Sequence, residues 1–115
     1  MWQAYEQLSK ATLVGCWAHV RRKFHEAVPQ TASGKSLAQK GVNYCNRMFY
    51  LEQTWENLSK QERYQLRQEK LKPLMQEFFN WCEKNKTTVL PGSKLGKAIN
   101  YTLKHQETFE HILLD

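Results

Sequence analysis

Tyr44-Cys-Asn-Arg-Met-Phe-Tyr-Leu-Glu-Gln-Thr-Trp-Glu-Asn-Leu-Ser-Lys-Gln-Glu62 is the stretch that decides the fold. Within it Tyr44, Met48, Leu51, Trp55 and Leu58 alternate steps of four and three, which lays them on one continuous helical stripe. Ser36 can cap this helix, which the pattern carries to about Leu58. Ser59 and Glu62 then form a capping box, in which the hydroxyl accepts the Glu62 amide and the carboxylate reaches back to the cap. A second long helix follows, with Tyr64, Leu71, Leu74, Phe78 and Trp81 or Cys82 facing inward. Pro73 interrupts it, either as a kink or as the first residue of a new helix. Two long helices joined by so short a turn read as an antiparallel pair.

Outward from the hairpin the signals are shorter. Residues 85–92, with Thr87, Thr88, Pro91 and Gly92, break the chain, and Ser93 can cap a last helix carrying Leu95, Ile99, Thr102, Phe109 and Leu113 on one face. Upstream, Trp2, Tyr5 and Leu8 give residues 1–10 a short helix, Val20 to Val28 a second one ended by Pro29, and residues 30–35 a loop. The segment from Thr12 to His19 is ambiguous. Thr12, Val14 and Gly15 favour a strand, whereas Leu13, Trp17, Val20, Phe24 and Ala27 would also line a helix. A lone strand leaves its backbone groups unpaired, so this segment is expected either to turn helical or to pair with another copy of the chain. The expected fold class is mainly α: a helical hairpin with short flanking helices, plus the Thr12–His19 segment as a strand remnant if it does not become helix.

The chain has 115 residues and a mass of 13.7 kDa, enough for one domain with a modest core. No apolar run approaches the roughly 18–20 residues of a membrane span, and the N-terminus lacks a secretory pattern, so no membrane partner and a cytoplasmic location are expected. The net charge of +6 favours an acidic partner, most simply nucleic acid. Cys16, Cys45 and Cys82 are odd in number and widely spaced, which fits reduced thiols.

Gly15-Cys16-Trp17-Ala18-His19-Val20-Arg21-Arg22-Lys23-Phe24 resembles the signature of the transposases of bacterial insertion-sequence family 66. Arg67-Gln68-Glu69-Lys70 followed by Pro73-Leu74 is similar to a second segment of that family. Leu90-Pro91-Gly92-Ser93, then Leu95-Gly96-Lys97-Ala98 and Tyr101, is similar to further segments of it. The landmarks come in family order and span nearly the whole chain. The resemblance implies a DNA-cutting enzyme of the Asp-Asp-Glu type with a ribonuclease-H-like core. In such enzymes the second catalytic Asp falls just before the residues matching Gln3-Ala4-Tyr5, and the Glu falls downstream of Asp115. The first Asp is further upstream. The implied division is 1–29 as a truncated edge of the nuclease core and 30–115 as a helical insertion.

The only Asp in this sequence is Asp115, so it lacks the pair of Asp residues such a triad needs. The implied enzyme holds divalent metal such as Mg on its three carboxylates; this chain is expected to hold no metal or other cofactor and to have no catalytic residue. The implied partner is DNA at the transposon ends, and helical insertions of this kind also serve self-association, so a homo-oligomer is a second expectation. The candidate DNA-binding residues are His19, Arg21, Arg22 and Lys23. Arg and Lys near a helix start oppose the helix dipole, which suggests a purpose other than local stability, although a solvated basic face accounts for them as well. Arg47, Arg63, Arg67, Lys70, Lys72, Lys84 and Lys86 add positive surface diluted by Glu residues. Cys16, Trp17 and His19 form the candidate structural motif. Zinc wants four ligands, and His25, Cys45 and Cys82 lie at no finger spacing. Trp17, Trp55 and Trp81 with Phe49, Phe78 and Phe79 could stack on bases, but their helical spacing marks them as core. The alternative function, in a different class, is a stand-alone α-helical protein–protein interaction module.

Overall fold

The structure is a computed structural model that describes residues 17–29 and 36–112, with side chains through Glu110. Residues 17–27 are helical, the described part of α1. Then come α2 (Leu37–Thr54), α3 (Lys60–Leu66), a π-helical turn (Arg67–Leu71), α4 (Lys72–Lys86), α5 (Lys94–Lys104) and α6 (Gln106–Ile112). There is no strand among the described residues, and none of their helices is long and apolar enough to cross a membrane. Of the segment from Thr12 to His19, residues 17–19 are helical. Residues 12–16, the short helix expected over residues 1–10, the loop over residues 30–35 and Leu113 lie outside the described residues.

Three serines start three helices by the same device. Ser36 Oγ accepts the Gln39 amide at 3.1 Å, Ser59 Oγ the Glu62 amide at 3.2 Å, and Ser93 Oγ the Gly96 amide at 3.0 Å. At Ser59 the hydroxyl also donates to the Glu62 carboxylate at 2.9 Å, closing the capping box side chain to side chain.

The hairpin is present and antiparallel. Glu52 meets Arg67, Arg47 comes within 3.9 Å of Glu77, and the Tyr44 ring lies 5.1 Å from Phe78 and 5.7 Å from Trp81. Positions falling along α2 therefore match positions rising along α4. The helix α2 stops at Thr54 rather than near Leu58. Ser59 must be extended to cap α3 (φ −64°, ψ 160°), so the chain tightens over Glu56→Gln53 and Leu58→Trp55 bonds to reach it. Trp55 is nonetheless buried, as its stripe requires.

Tyr64 departs from the expected inward face: it is 41% exposed. The reason lies just downstream. The Lys72 amide bonds to the Arg67 carbonyl five residues back, and this wider turn rotates everything before it relative to Leu71, Leu74 and Phe78. The π turn also meets the demand of Pro73, which sits in the first turn of α4 and cannot donate to a carbonyl four residues earlier. The last helix is likewise two pieces, parted at His105 (φ −101°, ψ 13°), although its Ile99, Thr102 and Phe109 keep one buried face.

The core is a single cluster that includes Trp17, Val20 and Phe24 of α1, Met48 of α2, Phe78 and Phe79 of α4, Ile99 of α5 and Phe109 of α6. Each large side chain buried there contributes about 1.5–3 kcal/mol. Two glycines are required by close approach. A Cβ at Gly41 would overlap the Phe24 ring, and one at Gly96 would overlap the Leu90 carbonyl oxygen. The second contact, with the Ser93 hydroxyl donating to Leu90 O at 2.6 Å, fixes the turn from Leu90 to Ser93 against the start of α5.

Candidate nucleic-acid interface

The predicted binding residues stand on α1, so what holds α1 determines where they point. Trp17, Val20 and Phe24, spaced three and four apart, are at most 2% exposed. Trp17 stacks on Phe109 with ring centres 4.1 Å apart and planes 15° apart, and Phe24 lies 5.8 Å from Phe78 and 5.9 Å from Trp81. With that side inward, a helix turning 100° per residue spreads its three consecutive cations over about 200°, with Arg21 and Lys23 on opposite flanks.

Arg21 leans toward α2, where its Nε donates to Asn46 Oδ1 at 2.7 Å. Lys23 leans the opposite way, its Nζ 4.9 Å above the Tyr101 ring of α5, a cation–π contact. Arg22 and His19 are exposed between them, on a side they share with His25 and Glu26. Arg21, Arg22 and Lys23 thus form no single three-pronged clamp; only His19, Arg22 and Lys23 face a common side.

Cys16 lies outside the described residues, Trp17 is core, and His19 faces solvent. The Trp17 Nε1 is buried with no hydrogen-bond partner among the described residues. Trp55, Phe78 and Phe79 are buried, and Trp81 and Phe49 pack half-buried against the same cluster, so these aromatics serve the core. No three His, Cys, Asp or Glu side chains converge among the described residues. Cys45 and Cys82 are free buried thiols. Burial pushes Cys45 up to about 12, against a smaller opposing pull from Arg21. Burial raises Cys82 further, with the neighbouring Cys45 and Glu83 adding to it.

Arg67 is not positive surface: it is 8% exposed and held by both Glu52 carboxylate oxygens. Conversely, lysines outside the expected positive surface stand beside Lys23. Tyr101, under the Lys23 ammonium, has Lys97 four residues before it and Lys104 three after, one helical turn away on each side. His105 packs on the same ring at 4.4 Å. A signal for them was in the sequence: no acidic residue occurs between Glu83 and Glu107.

The model of one protein family, described as "Transposase IS66 family", matches residues 1–115. Uncharacterized protein y4hP of Sinorhizobium fredii (strain NBRC 101917 / NGR234) is 31% identical over 114 residues, covering 90% of this chain and 21% of its own length. Uncharacterized protein y4qI of the same organism is 32% identical over 128 residues, covering 99% of this chain and 23% of its own. The chain therefore spans about a fifth of the length of these curated relatives. No solved structure matches it.

Proposed function

The chain belongs to the IS66 transposase family, and from that premise we propose that it acts in DNA transposition as a non-catalytic helical part of such an enzyme. In this reading it lies between the second catalytic Asp and the catalytic Glu, with residues 1–29 at the edge of the nuclease core and 30–115 as the insertion. The metal-holding carboxylates belong to the rest of the enzyme, where a divalent ion such as Mg would activate the attacking oxygen and stabilise the leaving one. This chain supplies contacts to DNA.

The observation that carries the reading is the set of the buried face of α1. Trp17, Val20 and Phe24 lock the helix into the core and so hold His19, Arg22 and Lys23 outward on a rigid support. Rigid presentation is what a phosphate contact needs if it is to position DNA rather than trail from it.

A second reading, a protein–protein interaction module that includes self-association into a homo-oligomer, draws on two apolar surface features. Leu90 is 77% exposed at the tip of its fixed turn. A shallow groove of about 590 Å³ between α2 and α4, lined by Asn46, Arg47, Tyr50, Leu51, Lys70 and Leu74, leaves Tyr50 in solvent.

A gel-shift titration of the purified chain on duplex DNA at several salt concentrations, beside sedimentation of the chain alone, separates the two. Affinity that falls steeply with salt supports the DNA role. No binding at low ionic strength, with a dimer in sedimentation, favours the second reading. Incubation with Mg²⁺ and plasmid should leave the plasmid intact in either case.

A further inference from the structure

Charge is distributed unevenly along this chain in a way its overall value hides. Residues 84–106 hold five of the 17 Lys and Arg residues and none of the 11 Asp and Glu residues, so the remainder is close to neutral. Most of the net positive charge thus sits at the end of α4 and in α5.

The fold gathers part of that tract on one side. Lys94, Lys97, Asn100 and Lys104 are exposed on α5, while Leu95, Ala98, Ile99 and Thr102 turn inward to the core. Lys94, Lys97, Tyr101 and Lys104 follow steps of three, four and three, which is a row along one side of a helix. Lys23 adds a cation from α1, placed over the middle of the row by its contact with Tyr101. Lys94 and Lys97 also occupy the first turn of α5, where the helix dipole disfavours cations and where no acidic residue offsets them. Local stability does not account for that placement.

We propose that this face, Lys94, Lys97, Asn100 and Lys104 of α5 with Lys23 of α1, seats the phosphate backbone of duplex DNA. The proposal rests on the DNA-contact reading above and names the surface that would carry it. Lys94 to Lys104 span about 15 Å of helix at 1.5 Å per residue, the axial length of roughly four phosphates on one strand. The contacts are ammonium groups and one amide, which grip phosphates but read no bases, so binding is indifferent to sequence. A membrane surface fits less well. A helix that lies on lipid presents apolar side chains beside its cations, and those of α5 are buried in the core or packed against it.

The test is fluorescence anisotropy of the whole chain on a mixed-sequence duplex between 50 and 200 mM salt. Lys94→Gln/Lys97→Gln/Lys104→Gln is compared with a charge-matched control of exposed lysines elsewhere, Lys40→Gln/Lys70→Gln/Lys72→Gln. Each phosphate contact contributes about 0.9 to the slope of log affinity against log salt, so the row variant should lose close to 3 units of slope and the control less than 1. The pair Lys97→Gln/Lys104→Gln, losing about 2 units on the same scale, covers the case in which the triple variant folds poorly. Equal losses in row variant and control, with wild type binding, would overturn the assignment of this face and leave the DNA-contact reading standing. Failure of wild type to bind at 50 mM salt would overturn both. Binding to phosphatidylserine vesicles that matches the duplex and is lost in the row variant would make the face a membrane surface and sink the proposal.

Discussion

Glu52 and Arg67 face each other fork to fork across the helical hairpin, Nε to Oε1 at 2.8 Å and Nη2 to Oε2 at 3.0 Å. The Arg67 side chain is 10% exposed and that of Glu52 23%, so the pair ties the end of α2 to the π turn at a site water barely reaches. The geometry is the bidentate one that Lys cannot copy.

Its two halves should not be equally costly to remove. Glu52→Ala leaves a guanidinium in a site with little water, and loss of one partner of a buried pair costs about 3–5 kcal/mol. Partial exposure of Glu52 lowers the expectation to about 2–3 kcal/mol. Arg67→Met leaves the better-hydrated carboxylate and keeps the apolar stem, and should cost about 1–2 kcal/mol. Urea melts of both variants and the double variant give the coupling. A coupling below about 0.5 kcal/mol would place the pair among ordinary surface bridges.

Gly41 offers a change of sign. In an exposed helix interior Gly→Ala stabilises by up to about 1 kcal/mol. Here the new methyl would meet the Phe24 ring, which is itself fully buried, so Gly41→Ala should destabilise by about 1–3 kcal/mol through overpacking. Gly41→Ala/Phe24→Leu should recover part of the loss relative to Phe24→Leu alone. A thermal melt in which Gly41→Ala is neutral would mean that α1 does not rest on α2 at this point.

What the sequence disclosed and what it withheld divide by the range of the interaction. The stripe through Met48 and Trp55 and the serine caps at Ser36, Ser59 and Ser93 were legible because each depends on residues at most a turn or two away. Arg67 was misread because its partner stands 15 positions back, and a charged residue without a visible partner reads as surface. Tyr64 was misread because a single π turn shifts the helical phase without leaving a composition signal of its own. The candidate site was half legible. Arg21, Arg22 and Lys23 drew notice as a run, but only the docking of α1 shows that Arg21 turns away while Lys23 joins α5. The lysines of α5 are spread too thinly to form a run and stand out only by the lack of acids among them.

Thiol reactivity follows from burial. Cys45 is raised to about 12 and Cys82 is raised as well, both chiefly because an ionised sulfur would lose its hydration. A folded-state pKa above the unfolded value favours folding below the unfolded pKa, and that contribution disappears as pH rises toward the folded one. Stability should therefore decline between about pH 9 and 12 from this source. In a Cys16→Ala background at pH 9, iodoacetamide should leave both thiols unmodified in the native chain and alkylate both in urea. Mass spectrometry counts the adducts. Rapid native labelling of Cys45 would contradict its burial.

The contact of Trp17 with Phe109 is the latch that holds the Trp17 end of the described part of α1 to α6. Their rings are stacked at 4.1 Å and both residues are at most 2% exposed, so each is a large aromatic in a filled site. Replacing either by Ala should cost about 3–5 kcal/mol. The two sites share one cavity, so the double variant should fall short of the sum by about 1 kcal/mol or more. The cost should also be local in its dynamics. Amides of residues 20–24 in Trp17→Ala should lose hydrogen-exchange protection before those of α4, because α1 has fewer apolar anchors than the hairpin and opens first. Because α1 carries Lys23, the same variant should weaken duplex binding even at temperatures where the hairpin remains folded. Full retention of protection at residues 20–24 in Trp17→Ala would show that Val20 and Phe24 hold α1 unaided, and the latch would then be superfluous.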